Sequence, residues 1–108
     1  MKRGEIWTLA GGSDYTGKPR PVVILQDDIF DFLDSITVCP LTGDPVEAVF
    51  RVPVQPSPDN SLDTPSWLMA DKVATVRKSR LGRQLGVLSA PDMANLRLGL
   101  LTFLGFGR

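Results

Sequence analysis

The basic residues of the chain are concentrated in two places, and their charge could hold phosphate groups. Between residues 72 and 83 there are five cations and no acid: Lys72, Arg77, Lys78, Arg80 and Arg83. Four more lie near the amino terminus: Lys2, Arg3, Lys18 and Arg20. If both groups border one groove, its positive potential suits the phosphate backbone of a nucleic acid. The alternative is that these are separate solvated charges, and the sequence leaves both interpretations open.

The total charge hides this separation. Twelve Lys and Arg balance twelve Asp and Glu, so the formal net charge is zero. A zero sum argues by itself against a nucleic-acid partner. Eight acids, however, lie between residues 27 and 63, where Arg51 is the only base. These acids are Asp27, Asp28, Asp31, Asp34, Asp44, Glu47, Asp59 and Asp63.

Histidine is absent from the 108 residues and cysteine occurs once, as Cys39. The sequence therefore excludes histidine general acids or bases, histidine-containing triads, internal disulfides and cysteine-cluster zinc sites. Cys39 lies between Val38 and Pro40 with no histidine to activate it, so we predict an inert buried side chain rather than a nucleophile. We expect no metal or other cofactor and a reducing, cytoplasmic setting. No apolar run is long enough for a membrane span, and no signal peptide is recognisable.

Strand patterns occupy the first three quarters of the chain. The predicted strands are residues 5–9, 21–26, 35–41, 46–54, 67–70, 73–76 and 85–88. Residues 46–54 alternate between two faces, and Pro53 predicts that this strand lies at a sheet edge. Residues 10–19 and 55–65 predict loops from their Gly and Pro content. Residues 27–33 predict a helical turn with an Asp cap.

One helix is predicted at the carboxyl end. Ser89 suits its N-cap and Pro91 its first turn, while Gly105 is suited to end it. The helical spacing predicts an apolar stripe: Met93, Leu96, Leu100 and Leu104. This face either packs on the sheet or also forms a dimer contact. Short strands followed by one helix predict a single mainly β (α+β) domain with a small, strongly bent sheet or barrel.

Two segments of the sequence resemble the MazF/PemK family of toxin endoribonucleases from type II toxin–antitoxin pairs. The first is Arg-Gly-Glu-Ile-Trp at residues 3–7, followed after a glycine-containing loop by Lys-Pro-Arg-Pro-Val-Val-Ile-Leu-Gln at residues 18–26. The second is Val-Cys-Pro-Leu-Thr at residues 38–42. Weaker similarity continues through residues 71–76, 81–82, 85–88 and 100–105, so the resemblance covers nearly the whole chain as one domain, residues 1–108.

The resemblance implies an SH3-like barrel of the CcdB/MazF type with a C-terminal α-helix, and a symmetric homodimer. It implies metal-independent, sequence-selective cleavage of single-stranded mRNA, and a MazE-like antitoxin whose C-terminal segment blocks the RNA groove. The family's catalytic arginine, directly before Pro-Val-Val, falls on Arg20, and its catalytic threonine, after Pro-Leu, falls on Thr42. We expect further RNA contacts at Lys18, Gln26, Trp67, Asp71, Arg77, Lys78 and Arg80.

The implied chemistry agrees with a chain that lacks histidine. RNA is cut without a metal ion when its own 2′-OH attacks the adjacent phosphate, leaving a cyclic phosphate and a 5′-OH. The reaction needs a proton acceptor, a proton donor and positive charge on the phosphorane. The guanidinium of Arg20 offers several fixed donors to phosphate oxygens, and the hydroxyl of Thr42 offers one more.

Two side chains near these positions have two interpretations each. Some relatives carry a basic residue two positions before the position of Asp71, and this chain has Met69 there. Asp71 either acts as a base or pairs with Lys72 or Arg77, and we favour pairing. Trp67 either stacks on a nucleobase or packs within the protein, whereas packing is the expected role of Trp7.

Two other functions compete with the nuclease. A gyrase-poisoning toxin of the CcdB type shares the barrel and the dimer but acts by binding a protein, and its active end is the C-terminal one, here residues 103–108. The pair Arg20 and Thr42 argues against it, because such a toxin needs no groups that activate a phosphate. The third function is an SH3-like adaptor module without toxicity.

Overall fold

Seven β-strands followed by one α-helix make up the part of the chain that the computed structural model describes, residues 1–10 and 19–107. The elements are β1 (Glu5–Leu9), β2 (Arg20–Ile24), β3 (Ser35–Thr42), β4 (Arg51–Val54), β5 (Ser66–Met69), β6 (Ala74–Arg77), β7 (Leu81–Val87) and α1 (Ala90–Leu104). Single-turn 3-10 helices join some of them, at Asp28–Phe30, Ala70–Lys72 and Lys78–Arg80. The predicted mainly β fold with a carboxyl-terminal helix is confirmed.

Strand β3 joins the two parts of the sheet. The antiparallel order is β4–β5–β3–β2–β1–β7, and β6 also pairs with β3. The first half of β3, Ser35 to Val38, pairs with β6. Its last residues, Leu41 and Thr42, pair with β5, while β2 lies along the other edge. Everything that pairs with β3 is therefore placed by the register of this one strand.

Buried apolar side chains lie on both faces of the sheet. The cluster on the α1 side consists of Ile6, Val23, Cys39, Leu41, Val52, Val54, Leu68, Ala70, Leu88 and Leu96. The cluster on the other face consists of Val22, Ile24, Ile36, Val38 and Leu81, with Trp7 and Leu9 packed against it. In the described residues no helix covers this second face, so the sheet must curve around it to exclude water. The strongly bent sheet and the packing role of Trp7 agree with the predictions.

Helix α1 begins and ends as predicted. The Ser89 hydroxyl accepts a hydrogen bond from the Asp92 amide at 3.2 Å, and Gly105 ends the helix at a φ of 78°. Leu96 is fully buried, whereas Leu104 is 57% exposed, so the carboxyl end of the apolar stripe does not pack on the sheet. Leu104 lies in the last turn, beyond the sheet that buries Leu96. None of the helices in residues 1–10 and 19–107 has the length and apolar character needed to cross a membrane.

The predicted strand at residues 46–54 is too long. Only Arg51–Val54 is a strand, because a turn closes just before it, where the Arg51 amide donates to the Ala48 carbonyl at 3.0 Å. The Phe50 ring packs against Phe103 of α1 with centroids 5.3 Å apart. Phe50 therefore contacts the helix and is not part of the strand predicted over residues 46–54. The predicted edge position of Pro53 is confirmed, because β4 ends the sheet.

The last strand begins earlier than predicted, at Leu81 instead of residue 85. Glycine weakens a strand pattern, yet Gly82 and Gly86 both lie inside β7. A Cβ atom at Gly82 would collide with the Thr8 hydroxyl, and one at Gly86 with the Asp59 carbonyl. Glycine therefore marks close approaches of other groups to this strand. The predicted Asp cap at residues 27–33 is confirmed, since Asp27 accepts from the Ile29 amide at 3.2 Å.

We predict that the thiol of Cys39 is unreactive in the native protein. Burial raises the pKa of the thiol to about 12, because apolar surroundings disfavour the thiolate. Ellman's reagent at about pH 8 should therefore leave the native protein unlabelled and titrate one thiol in denaturant. As a control, Ser79→Cys introduces an exposed thiol that should react in the native state. Rapid native labelling of Cys39 would contradict its burial.

Candidate nucleic-acid interface

Arg20 and Thr42 lie at the adjoining ends of two neighbouring strands, Arg20 as the first residue of β2 and Thr42 as the last residue of β3. In the antiparallel pair of β2 and β3, Val22 lies opposite Pro40. The β2–β3 pairing ends at this pair; continued by two residues, the same register brings Arg20 of β2 and Thr42 of β3 to one face at the adjoining ends of the two strands. Neighbouring strands are about 4.8 Å apart. The guanidinium and the hydroxyl can therefore reach the same small group.

The hydroxyl of Thr42 is oriented by the turn that ends β3. Its Oγ1 accepts a hydrogen bond from the Asp44 amide at 3.1 Å. An oxygen that accepts in this way still has its own O–H to donate elsewhere. Thr42 is half-buried, whereas Arg20 is exposed at the start of β2. A turn residue and a hydrogen-bond donor are thus compatible roles for the same threonine.

Trp67 lies beside Thr42. The two residues pair across β3 and β5, and Trp67 pairs on its other side with Pro53 of β4. Trp67 is half-buried and lines a groove together with residues 45–49. Its ring is therefore held next to the predicted catalytic threonine and partly open to solvent. This position is compatible with both packing and stacking, and the stacking role of Trp67 stays a prediction.

Arg80 lies at the Arg20 side of the sheet. Its Nη2 donates to the Ala10 carbonyl at 2.9 Å, and the Ala10 amide donates to the Arg80 carbonyl at 3.0 Å. The next residue, Leu81, pairs with Leu9, which pairs with Arg20 on its other side. Arg80 is therefore bonded to Ala10, where the predicted first loop begins; residues 11–18 of that loop lie outside the described part of the chain.

The structure separates Arg77 and Lys78 from this end of the sheet. Arg77 pairs with Ser35, which is at the opposite end of β3 from Thr42. β3 has eight residues, so its ends are about 23 Å apart along the strand. Lys78 forms an ion pair with Asp31 at 2.8 Å, and this hydrogen bond lowers the pKa of the Asp31 carboxyl. RNA contacts at these two cations stay predictions for a separate region.

Gln26 is engaged within the protein. Its Nε2 donates to the Phe30 carbonyl at 3.2 Å, and its Oε1 accepts from the Thr37 amide at 3.3 Å. These bonds tie the 3-10 turn at Asp28–Phe30 to β3. The predicted RNA contact of Gln26 is untested. Lys18, the remaining predicted contact, lies outside the described residues.

Asp71 pairs with Arg51, so the two predicted partners, Lys72 and Arg77, are wrong. Arg51 Nε donates to Asp71 Oδ1 at 2.8 Å and Nη2 donates to Oδ2 at 3.0 Å. The β4–β5 register explains the pairing: it sets Arg51 opposite Met69, two residues before Asp71. The only base in the acidic segment thus lies beside the candidate site. Its isolation among acids was the one available signal for it in the sequence.

The ion pair keeps Asp71 charged. The hydrogen bonds from Arg51 lower the pKa of the Asp71 carboxyl, and the carboxylate raises the pKa of the guanidinium. A carboxylate with a lowered pKa is a weak proton acceptor, which disfavours the general-base interpretation. Among the described residues, no group of three or more Cys, Asp or Glu side chains could hold a metal ion.

Comparisons with known proteins agree on one family. Residues 2–104 match a family model described as the PemK-like, MazF-like toxin of type II toxin–antitoxin systems. The chain is 47% identical over 106 residues to a probable endoribonuclease MazF of Mycolicibacterium smegmatis, which covers 97% of both chains.

Solved structures share the fold. The Mycobacterium tuberculosis toxin MazF-mt6 superposes with a TM-score of 0.80 at 28% identity, over 94% of this chain and 96% of that one. A chain of the MazE–MazF crystal structure from Deinococcus radiodurans gives a TM-score of 0.80 at 22% identity, over 97% of this chain and 96% of that one. This second similarity shows the architecture alone.

We predict that Asp71→Asn destabilises the protein in a pH-dependent way. The folded-state pKa of Asp71 is lowered, so its ion pair stabilises the protein above the unfolded pKa of about 3.9. This contribution disappears as the pH falls through the folded pKa. The difference in urea midpoint between wild type and Asp71→Asn should be constant from about pH 5 to 8 and shrink below about pH 4. The exposed Asp63→Asn change serves as the control. A difference that persists at the lowest pH would contradict the assignment.

Proposed function

The chain belongs to the PemK-like, MazF-like toxin family of type II toxin–antitoxin systems, and we propose that it is a metal-independent endoribonuclease that cleaves single-stranded mRNA at selected sequences. The observation that supports the proposal is the β2–β3 register, which, continued two residues beyond Val22 and Pro40, brings Arg20 and Thr42 to one face at adjoining strand ends. A phosphate bound between these strands has a cation on one side and a hydroxyl on the other.

The cleavage proceeds by attack of the RNA's own 2′-OH. The 2′ oxygen loses its proton and forms a bond to the adjacent phosphorus, and the bond from phosphorus to the 5′ oxygen breaks. The leaving 5′ oxygen takes up one proton from solvent, which balances the proton that the 2′ oxygen gave to solvent. The products are a 2′,3′-cyclic phosphate and a 5′-OH end, so no water molecule is consumed in this step.

Arg20 and Thr42 act on the charge that develops at phosphorus. The guanidinium donates several hydrogen bonds in a fixed plane to the non-bridging oxygens, and its charge stabilises the phosphorane. The hydroxyl of Thr42 donates one further hydrogen bond. Because both side chains extend from a sheet, the donors need little reorganisation when the charge appears.

Neighbouring residues hold the RNA strand. Trp67, which pairs with Thr42, supplies a surface on which a base stacks, and such stacking contributes about 1–3 kcal/mol per base. Arg80 adds positive charge on the Arg20 side of the sheet, where a phosphate next to the cleaved one would pass. The site therefore has a reacting centre with RNA-binding groups on either side of it.

The proposed partners are a second copy of the chain and a MazE-like antitoxin. Membership of a type II toxin family supports the proposal of an antitoxin partner, and a crystal structure of MazE–MazF is known from Deinococcus radiodurans. The antitoxin's C-terminal segment would occupy the RNA groove and exclude the substrate. A cytoplasmic location belongs to the same proposal.

The two alternatives are not favoured. A gyrase-poisoning toxin of the CcdB type shares this kind of barrel, but the family match and the relative at 47% identity are of the MazF endoribonuclease type. An adaptor module without toxicity would have no need for the facing Arg20 and Thr42.

We predict that the purified protein cleaves single-stranded RNA in EDTA and leaves 5′-OH ends. Arg20→Ala should lower kcat by about 100-fold or more, because it removes the main donor to the phosphorane. Thr42→Ala should lower kcat by about 10-fold or more, and Thr42→Ser, which keeps the hydroxyl, should retain most of the activity.

The control is Arg97→Ala, which removes a cation from α1 on the other side of the sheet. It should cleave at the wild-type rate. Cleavage that needs a divalent ion, or that survives in Arg20→Ala, would contradict the mechanism. Gyrase-dependent DNA breaks without any RNA cleavage would instead support the CcdB-type alternative.

A further inference from the structure

Arg51 keeps hydrogen-bond donors that its ion pair does not use. A guanidinium carries five N–H groups, and Asp71 accepts from Nε and from one N–H of Nη2, at 2.8 and 3.0 Å. Within residues 1–10 and 19–107, no other protein acceptor binds this guanidinium. The side chain of Arg51 is 12% exposed, so the group is largely shielded from solvent.

Arg51 lies on the same face as the proposed reacting centre. It is two residues from Pro53, which pairs with Trp67, and Trp67 pairs with Thr42. Residues two apart on a strand point to the same side of a sheet. Two strand spacings separate β3 from β4, about 10 Å. An RNA strand that crosses from Thr42 over Trp67 therefore meets Arg51 at a neighbouring nucleotide, not at the cleaved one.

A groove connects Trp67 and Arg51. Its volume is about 580 Å³, and its walls include Pro45, Val46 and Ala48. Arg51 is the only basic residue that lines the groove, and Glu47 is the only acidic one. Glu47 is exposed at the rim, whereas Asp71 fixes Arg51 in the wall. The groove thus offers an apolar surface on which a nucleobase can pack, and one oriented cation, the guanidinium of Arg51.

We propose that Arg51 binds a phosphate flanking the cleaved one, and that Asp71 is a positioning residue that holds the plane of the guanidinium. This inference rests on the proposed endoribonuclease function and extends its substrate contacts. Asp71 neutralises part of the charge of Arg51, so the contact contributes a directed hydrogen bond more than long-range attraction. Its effect belongs in KM, because the contact is the same in the ground state and the transition state.

The test combines substitution of Arg51 with removal of single phosphate charges. The cleavage site is first mapped with wild-type protein on an all-phosphodiester RNA in EDTA. Each flanking linkage is then replaced in turn by a neutral methylphosphonate, and kcat and KM are measured. In the wild type, a methylphosphonate at one of the flanking positions should raise KM about tenfold and leave kcat nearly unchanged.

Arg51→Met should raise KM about tenfold on the unmodified RNA and should lose its sensitivity to the methylphosphonate at that one position. A residue that only stabilises the fold would not produce insensitivity confined to a single linkage. Arg97→Met, with the same charge change on α1, should respond to every methylphosphonate as the wild type does. If the increases in KM caused by Arg51→Met and by the methylphosphonate multiply at every position, the proposed contact between Arg51 and a flanking phosphate is overturned.

Removing Arg51 alone leaves Asp71 without its partner and could unfold the protein. The double variant Arg51→Met/Asp71→Leu replaces both charges with apolar groups and avoids an uncompensated carboxylate. It should show the same insensitivity at the same linkage. Wild-type protein that leaves the unmodified RNA intact would overturn the proposed function and this contact together, whereas cleavage with multiplying losses overturns the Arg51 contact alone.

Discussion

The pairing register of β3 is the constraint on which the rest of the structure depends. One strand pairs with β2, β5 and β6, so its register decides which residues of four strands share a face. A shift by one residue would turn Thr42 toward the α1 side and expose Cys39 and Leu41, which are buried there. The apolar core therefore locks the register, and the register in turn brings the ends of β2 and β3 that carry Arg20 and Thr42 together on one face.

The same face carries both a second apolar cluster and the polar site. Val22 and Ile24 of β2 are buried on this face, while Arg20 at its start is exposed. The curved sheet encloses the apolar part and leaves the ends of the strands open. Polar groups at those ends stay accessible yet have rigid support, because the residues next to them are immobilised in the core. Arg51 follows the same logic through its ion pair with Asp71.

Local signals in the sequence were sufficient for much of this architecture. Ser89 and Gly105 predicted both ends of α1, and Pro53 predicted the edge strand, because each residue type has a specific backbone requirement. Arg51, the partner of Asp71, could not be predicted from the sequence. The two residues are twenty positions apart and meet only through the pairing register of β4 and β5. Arg20 and Thr42 were placed at a common site only by resemblance to a family, because no local pattern specifies which strands are neighbours.

The central claim is that Arg20 and Thr42 act together on one phosphate. A double-mutant cycle on cleavage in EDTA tests it most directly, with kcat/KM measured for Arg20→Ala, Thr42→Ala and the double variant. If both side chains stabilise the same phosphorane, the double variant should lose little more than Arg20→Ala alone, within about threefold. Losses that multiply fully would mean that the two residues act independently, which contradicts a shared reacting centre.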